Sequence, residues 1–189
     1  MNKLIQCNTF LIFIIFLSGC FSYAPSDNYP FAKIKRLKQL NGIYQNRGID
    51  EKDHLSTPNT KRYYLSKIIW VKDEKMNHKA IDIIQIKTIS DNKLSIKALN
   101  NNRIVKEKIF LQGTDFSLSS GKIQLANSWG VPLPIVGVGH VNNKLGLDQR
   151  KNGKYKKETM VCGLFALLLP MFFKITEEIR FQRINNRVK

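Results

Sequence analysis

The sequence predicts a mainly β protein, an antiparallel meander that forms a barrel or a sandwich. Apolar and polar residues alternate with a period of two along much of the chain, which is typical of strands with one buried face. Turn-forming residues recur at intervals of about ten, as they do between the strands of a meander. No long helical pattern separates these runs, so a parallel βαβ arrangement is not expected. With 189 residues, 43% of them hydrophobic and 24% charged, the chain has ordinary globular composition.

The strands follow from the alternating runs and from the turns between them. The clearest run, 81–89, changes phase at Ile83-Ile84 and therefore predicts a bulge there. Loops are predicted over 50–60, which is polar, and over 129–134, where two prolines cannot donate to a ladder. The predicted strands are 42–46, 63–72, 81–89, 93–98, 103–111, 115–119, 122–126, 135–141 and 175–184, with turns at Asn142-Asn143 and around Asn152-Gly153.

A short N-terminal helix is one interpretation of the segment before the first strand. Phe31, Ile34, Leu37 and Leu40 recur at helical spacing, and Asn41-Gly42 suits a helix end. A helix of about ten residues is marginal alone, so it needs a membrane or the end of the domain to pack on. An irregular lead-in to the first strand is the alternative that we rate equally.

The first residues have the anatomy of a secretory signal. Lys3 gives a positive start, an apolar stretch has its core over 10–17, and small residues follow before Cys20. The uninterrupted apolar part is much shorter than the roughly 20 residues that a membrane-spanning helix needs. We therefore expect export from the cytoplasm.

The motif Leu17-Ser18-Gly19-Cys20 resembles the lipobox of bacterial lipoprotein signals. The resemblance implies cleavage between Gly19 and Cys20 and acylation of Cys20 with more than one chain, which anchors stably where a single palmitate would be marginal. It also implies a signal peptide over 1–19 and a lipid-anchored tether over 20–40, after which the alternating runs predict a single basic β domain over 41–189. Phe21 resembles the outer-membrane pattern of Gram-negative bacteria. Two alternatives stay open, namely ordinary signal cleavage after Ala24 and an uncleaved anchor.

The charge of the chain indicates an anionic environment. There are 31 Lys and Arg against 14 Asp and Glu, which gives a net charge of +17. A secreted protein does not meet nucleic acid, so we expect anionic lipid or a cell-wall polymer, and also an unidentified protein partner. Lysines on the polar faces of the strands account for part of this charge as a solvated surface.

The last cysteine lies in the most hydrophobic run of the mature chain, 160–173. Cys7 leaves with the signal and Cys20 carries lipid, so Cys162 is the only free thiol and no internal disulfide can form. We expect Cys162 to be an inert core residue, because no basic residue stands beside it to activate the thiol as a nucleophile. The run itself is interpreted as a buried strand plus a loop, or as an apolar wedge that enters lipid or lines a cavity.

The sequence predicts no catalytic residues, no cofactor and no metal site, and hence no enzyme. His54, His78 and His140 are isolated from one another and from any cysteine pair. Glu177 and Glu178 are adjacent and would face opposite sides of a strand, which does not suit a paired acid and base. A nucleophile elbow and a phosphate-binding loop are both missing from the sequence.

The mature domain also has a weak resemblance to lipocalin-like barrels. The resemblance rests on Gly42-Ile43-Tyr44 in the first strand, on Thr114-Asp115-Phe116, and on a late arginine, Arg180 or Arg183. Tyr44 stands where that family has tryptophan, and Phe116 where it has tyrosine. The resemblance implies a barrel that carries a small hydrophobic ligand and an arginine packed over the aromatic ring of the first strand.

Two functions are therefore expected. The first is a lipid-anchored cell-envelope protein, in the outer membrane if the cell is Gram-negative, with a non-enzymatic structural or scaffolding role. The alternative is a lipocalin-like carrier. A large apolar cavity would favour the carrier, and a solid core would favour the scaffold.

Overall fold

The protein is mainly β, as predicted. The computed structural model describes residues 19–23, 28–49, 63–125, 136–165 and 169–184, and it gives backbone alone for 19–23, 136–138, 163–165 and 169–171. The strands are β1 (Gly19–Tyr23), β2 (Gly42–Gln45), β3 (Ile83–Ser90), β4 (Lys93–Asn100), β5 (Arg103–Leu111), β6 (Phe116–Ser119), β7 (Lys122–Leu125), β8 (Val136–Leu147), β9 (Gly153–Phe165), β10 (Leu169–Phe181) and β11 (Arg183–Ile184). One α-helix, α1 (Leu65–Ile69), and two 3₁₀ turns, Leu37–Leu40 and His78–Ala80, complete the described elements.

The strands form two sheets. One sheet has the order β11-β2-β3-β4-β5, and its consecutive strands pair antiparallel. The other has the order β1-β10-β9-β8-β7-β6, in which β1 alone is shown parallel to its neighbour, β10. A closed barrel is not observed among the described strands, so the predicted meander takes the form of two sheets, as in a sandwich.

The described residues group into two compact units. The first unit contains 19–23, 136–142, 157–165 and 169–177, and the second contains 28–49, 63–125, 143–156 and 178–184. The division falls within β8, β9 and β10, whose residues contribute to both units. The predicted boundaries 1–19, 20–40 and 41–189 stay predictions.

The hydrophobic core lies in the second unit and draws on both sheets. Tyr44, Ile84 and Phe181 are at most 1% exposed, and Ile179 is 2% exposed. Burying one such side chain is worth about 1.5–3 kcal/mol, so a cluster of this kind supplies most of the driving force for folding. The alternation that predicted the strands places these side chains on the inward faces.

The segment before β2 also packs on this core. Ile34, Leu37 and Leu40 are each 3% exposed, and the chain turns through a single 3₁₀ helix at Leu37–Leu40. The helical spacing of these apolar residues therefore marks a face that is buried in the core. The regular helix is four residues long, which is much shorter than the helix of about ten residues that one interpretation predicts. The same residues do not lie on a membrane, because the core covers them.

Part of the predicted tether is a strand. Residues 19–23 form β1, which pairs with 173–177 of β10, whereas 24–27 lie outside the described residues. The predicted loops at 50–60 and 129–134 also lie outside them.

Three predictions about local structure are wrong. The predicted strand 63–72 contains α1 instead, with Leu65 and Ile69 buried. The predicted turn at Asn142-Asn143 is part of β8, which runs without a break from Val136 to Leu147. The irregularity in β3 falls between Thr88 and Ser90 and not at Ile83-Ile84, because the strand begins only at Ile83.

Candidate functional site

The predicted lipid-bearing cysteine lies on the strand at the edge of the six-stranded sheet. Along β1 and β10, Gly19 is in register with Phe173, Cys20 with Lys174 and Phe21 with Ile175. Neighbouring strands lie about 4.8 Å apart, so a chain that starts at Cys20 begins directly beside β10. Leu17 and Ser18, the first half of the lipobox, lie outside the described residues.

The end of β9 and the beginning of β10 expose apolar side chains. Met160 is 38% exposed, Phe172 47% and Ile175 41%. Cys162 is exposed as well, so the prediction of a core cysteine is wrong. We call Met160, Cys162, Phe172 and Ile175 the apolar end of the first unit. A buried strand plus a loop, the first interpretation of 160–173, does not describe Met160, Cys162 and Phe172, whereas Val161 is buried and the side chains of 163–171 lie outside the described residues.

The interior of the second unit has almost no free space. The cavity between its sheets has a volume of about 20 Å³ and is lined by core side chains such as Tyr44, Ile96 and Phe110. A cavity of this size holds about one water molecule, whereas pockets for small ligands measure roughly 300–1,000 Å³. The described core is therefore solid.

A wider cleft of about 570 Å³ opens in the second unit beside the edge strand β5. Its aromatic wall is Trp70 and Phe110, whose rings meet edge to face at 6.4 Å between centroids. The Nε1 atom of Trp70 is buried without a hydrogen-bond partner. The lining also includes Lys106 and Lys108, which share the inward face of β5 with Phe110.

Two of the three lysines that line this cleft are each paired with an aspartate. Lys106 forms an ion pair with Asp73, and Lys108 Nζ lies 2.8 Å from Asp115 Oδ1. The hydrogen bond from Lys106 lowers the pKa of Asp73. Burial would raise the pKa of Asp115, but hydrogen bonds from Lys108 and the Leu111 amide outweigh it, so this pKa is lowered too.

Two carboxylates that both stay ionised do not make an acid and base pair, which needs one group with a raised pKa. The described lining of the cleft therefore contains ion pairs and no acid–base pair. Inward-facing lysines on an edge strand also discourage that edge from pairing with another sheet.

The histidines do not form a site among the described residues. His78 Nδ1 lies 3.1 Å from Ser66 Oγ, and burial is the main cause that lowers the pKa of His78. His140 is exposed, and His54 lies outside the described residues. In the part of the chain that the structure describes, no three His, Cys, Asp or Glu side chains meet where they could share a metal ion.

A buried ion pair between β9 and β10 also binds residues 28–29, at the beginning of the second unit. The sequence did not predict it. Lys154 Nζ lies 2.7 Å from Glu178 Oε2, and the side chain of Lys154 is only 5% exposed. The same ammonium group donates to Asn28 Oδ1 and to the carbonyl oxygen of Tyr29. Burial would raise the pKa of Glu178, but the hydrogen bonds and the charge of Lys154 outweigh it and lower that pKa.

The late arginine lies over the aromatic ring of the first core strand. The guanidinium carbon of Arg183 is 5.8 Å from the centroid of the Tyr44 ring, and its Nη2 donates to the carbonyl oxygen of Asn41. Burial raises the pKa of Tyr44 to about 12, although the charge of Arg183 opposes this. The Tyr44 hydroxyl donates to the carbonyl oxygen of Leu40 at 2.7 Å.

The fold and the side-chain contacts described above place the chain in a broad class, that of mainly β proteins with two sheets. Comparison of the chain with family models, with curated proteins and with solved structures finds no match. The described helices include none with the length and apolar character that crossing a membrane requires.

Proposed function

We propose that this chain is a lipid-anchored bacterial cell-envelope protein with a non-enzymatic structural or scaffolding role. The observation that carries the proposal is the lipobox Leu17-Ser18-Gly19-Cys20 at the end of a short apolar stretch that starts near a positive charge. Cys20 carries the acyl chains, and cleavage between Gly19 and Cys20 removes the signal. Phe21 supports the outer membrane as the destination if the cell is Gram-negative.

The described interior supports a scaffold over a lipocalin-like carrier. A carrier needs room for its ligand, and a cavity of about 20 Å³ between the sheets gives none. The position of Arg183 over Tyr44 agrees with what the lipocalin resemblance implies. Arg183 and Tyr44 are also register partners on the paired strands β11 and β2, so their contact does not distinguish a carrier from a solid domain.

The charge supports an anionic neighbour for the anchored domain. At a net charge of +17, the chain is attracted to anionic headgroups and to wall carboxylates within about a Debye length. We therefore propose that the domain lies close to such a surface, where it meets its protein partner.

The anchor is tested by feeding cells a labelled fatty acid and fractionating their membranes. Wild-type protein should carry the label and stay with membranes after a high-salt wash, because acyl chains hold independently of charge. The Cys20→Ser variant should lose both properties. Cys162→Ser is the matched control, since it removes the other cysteine of the mature chain and should change neither. Equal labelling of wild type and Cys20→Ser would overturn the proposal.

A further inference from the structure

The apolar end of the first unit is exposed on both faces of one strand. Phe172 and Ile175 are separated by an odd number of positions along β10, so their side chains point to opposite faces of the sheet. They are 47% and 41% exposed. A protein partner or a second copy that packs on one face would leave the other side chain in water. A strand that enters a lipid surface is covered by lipid on both of its faces at once.

The sequence that contains Met160 and Phe172 carries no charge, whereas Ile175 follows Lys174, the first charged residue after that segment. No Asp, Glu, Lys or Arg occurs between Glu158 and Lys174. Polar backbone groups are satisfied within the sheet where β9 and β10 pair, as burial in lipid requires. A contiguous uncharged segment with exposed apolar side chains is unusual on a surface that faces only water.

Lysines stand where the uncharged segment meets the rest of the first unit. Lys157 Nζ lies 3.9 Å from Glu177 Oε2, and Lys174 Nζ lies 3.9 Å from Glu158 Oε1. The side chains of Lys157 and Lys174 are 36% and 37% exposed. Lysines at such a boundary can keep their stems on apolar surface while their ammonium groups reach anionic headgroups.

The predicted anchor lies beside the same part of β10. Cys20 is in register with Lys174, and Phe21 with Ile175. Acyl chains on Cys20 would therefore enter the bilayer next to Phe172 and Ile175.

From these observations we propose that the apolar end dips into the lipid surface beside the acylated cysteine, so that the protein holds its membrane with side chains as well as with acyl chains. The inference rests on the proposed function, because the acyl chains on Cys20 determine which membrane the apolar end meets. It adds a defined contact, made by Met160, Phe172 and Ile175 at the boundary between headgroups and acyl chains.

The native thiol provides the test. In the acylated protein Cys162 is the single free thiol and belongs to the apolar end, so an environment-sensitive fluorophore can be attached without a substitution. The labelled protein is reconstituted into vesicles of phosphatidylethanolamine and phosphatidylglycerol that contain nitroxide-labelled lipids. We expect the nitroxides to quench this label about twofold or more, because side chains at this boundary sit roughly 5–10 Å deep.

A label on the second unit is the matched control. Ile109 on β5 is 52% exposed, so a Cys162→Ser, Ile109→Cys variant carries its label on another exposed apolar position. We expect iodide in the water, and not the lipid nitroxides, to quench that label. Phe172→Ser with Ile175→Ser should weaken the quenching at Cys162 without changing the acyl mass.

The outcomes separate the inference from the proposed function. If the protein stays on the vesicles while the Cys162 label is quenched only by iodide, the inference is overturned and the anchor stands. If the protein carries no lipid, the proposed function fails. Adding that lipid-free protein to the same vesicles then tests the apolar end by itself, since quenching supports the lipid contact and its absence overturns it.

Discussion

Two regions of the molecule expose large apolar side chains, and their surroundings differ. On β5 in the second unit, Ile104, Val105 and Ile109 are 52–55% exposed, but charged residues interrupt them at 103 and 106–108. In the apolar end of the first unit, Met160 and Phe172 are 38% and 47% exposed, and they lie in the segment 159–173, which contains no charge. Exposure alone therefore does not mark a lipid contact. The absence of charge between Met160 and Phe172 distinguishes this segment from an ordinary edge strand.

The largest effect on the free energy of unfolding is expected for a buried phenylalanine when it is compared with an exposed one. Phe181 is completely buried in the second unit, so Phe181→Ala should lower the free energy of unfolding by about 3–5 kcal/mol. Phe172→Ala in the first unit should change it by less than about 0.5 kcal/mol in the absence of lipid. Urea unfolding of both variants makes the comparison, and equal losses would contradict the assignment of Phe172 to the surface.

The buried ion pair of the second unit comes next. Lys154→Met removes the closer of two lysines from the largely buried Glu178 and leaves Lys156 at 3.2 Å, so we expect a loss of about 3 kcal/mol in urea unfolding, at the lower end for a broken buried pair. Lys174→Met, which removes a half-exposed lysine 3.9 Å from its glutamate, should cost no more than about 1 kcal/mol. A similar loss for both would show that Lys154 is not buried with its partner.

The same pair predicts a pH dependence. The pKa of Glu178 is lower in the folded state than its ordinary value of 4.5, so the folded state binds the proton less readily than the unfolded chain. The stabilisation is therefore fully present above about pH 4.5 and is lost as the pH falls through the folded pKa. Unfolding measured from pH 7 to pH 3 should show a steeper loss for wild type than for Glu178→Gln. Parallel curves would contradict the lowered pKa.

Removing the charge between the apolar side chains of β5 should make that strand resemble the apolar end. Glu107 lies 3.2 Å from Lys97 and accepts the hydroxyl of Ser95 at 2.9 Å, and it lies between Ile104 and Ile109 in sequence. Glu107→Val should create an exposed apolar edge and cause self-association that grows with concentration, as sedimentation would detect. Glu107→Gln keeps a polar side chain and should stay as monomeric as wild type. Self-association in both variants would point to the lost ion pair instead.

The smallest effect is expected for single exposed positions on β5. Ile104 is 54% exposed, so Ile104→Ser should change the free energy of unfolding by no more than about 0.5 kcal/mol. It should also leave membrane retention unchanged, since the acyl anchor does not involve β5. A loss above about 2 kcal/mol would show that Ile104 belongs to the core.

Local periodicity was sufficient to predict most of the second unit. The runs 93–98, 103–111 and 122–126 became β4, β5 and β7 to within two residues, because alternating residues and turn-forming neighbours are local features of the sequence. The segment 63–72 could not be predicted in this way. Its position depends on contacts with Asn46, which is completely buried and lies 20 residues before Ser66. The Asn46 side chain accepts the Ser66 amide proton and donates to the carbonyl oxygens of His78 and Ile81. These contacts join distant parts of the chain and leave no local pattern.

The candidate sites also differ in how far the sequence predicts them, because some are local motifs and others are contacts between distant residues. The lipobox at Cys20 is a local motif, so the sequence alone suggests it, although its acylation stays a prediction. The pairing of Lys154 with Glu178 is a contact between β9 and β10, and nothing near either residue announces it. The composition of 160–173 suggested burial for Cys162, because composition cannot tell a strand inside a core from one that is exposed on both faces.

Anchoring of the protein by lipid on Cys20 is measured by the intact mass of wild type and of Cys20→Ser, both purified from membranes. We expect a wild-type chain that begins at Cys20 and carries the mass of its acyl chains, with no such mass on the variant. A wild-type chain that begins at Pro25 without lipid would rule out the anchor and leave a freely diffusing basic β protein.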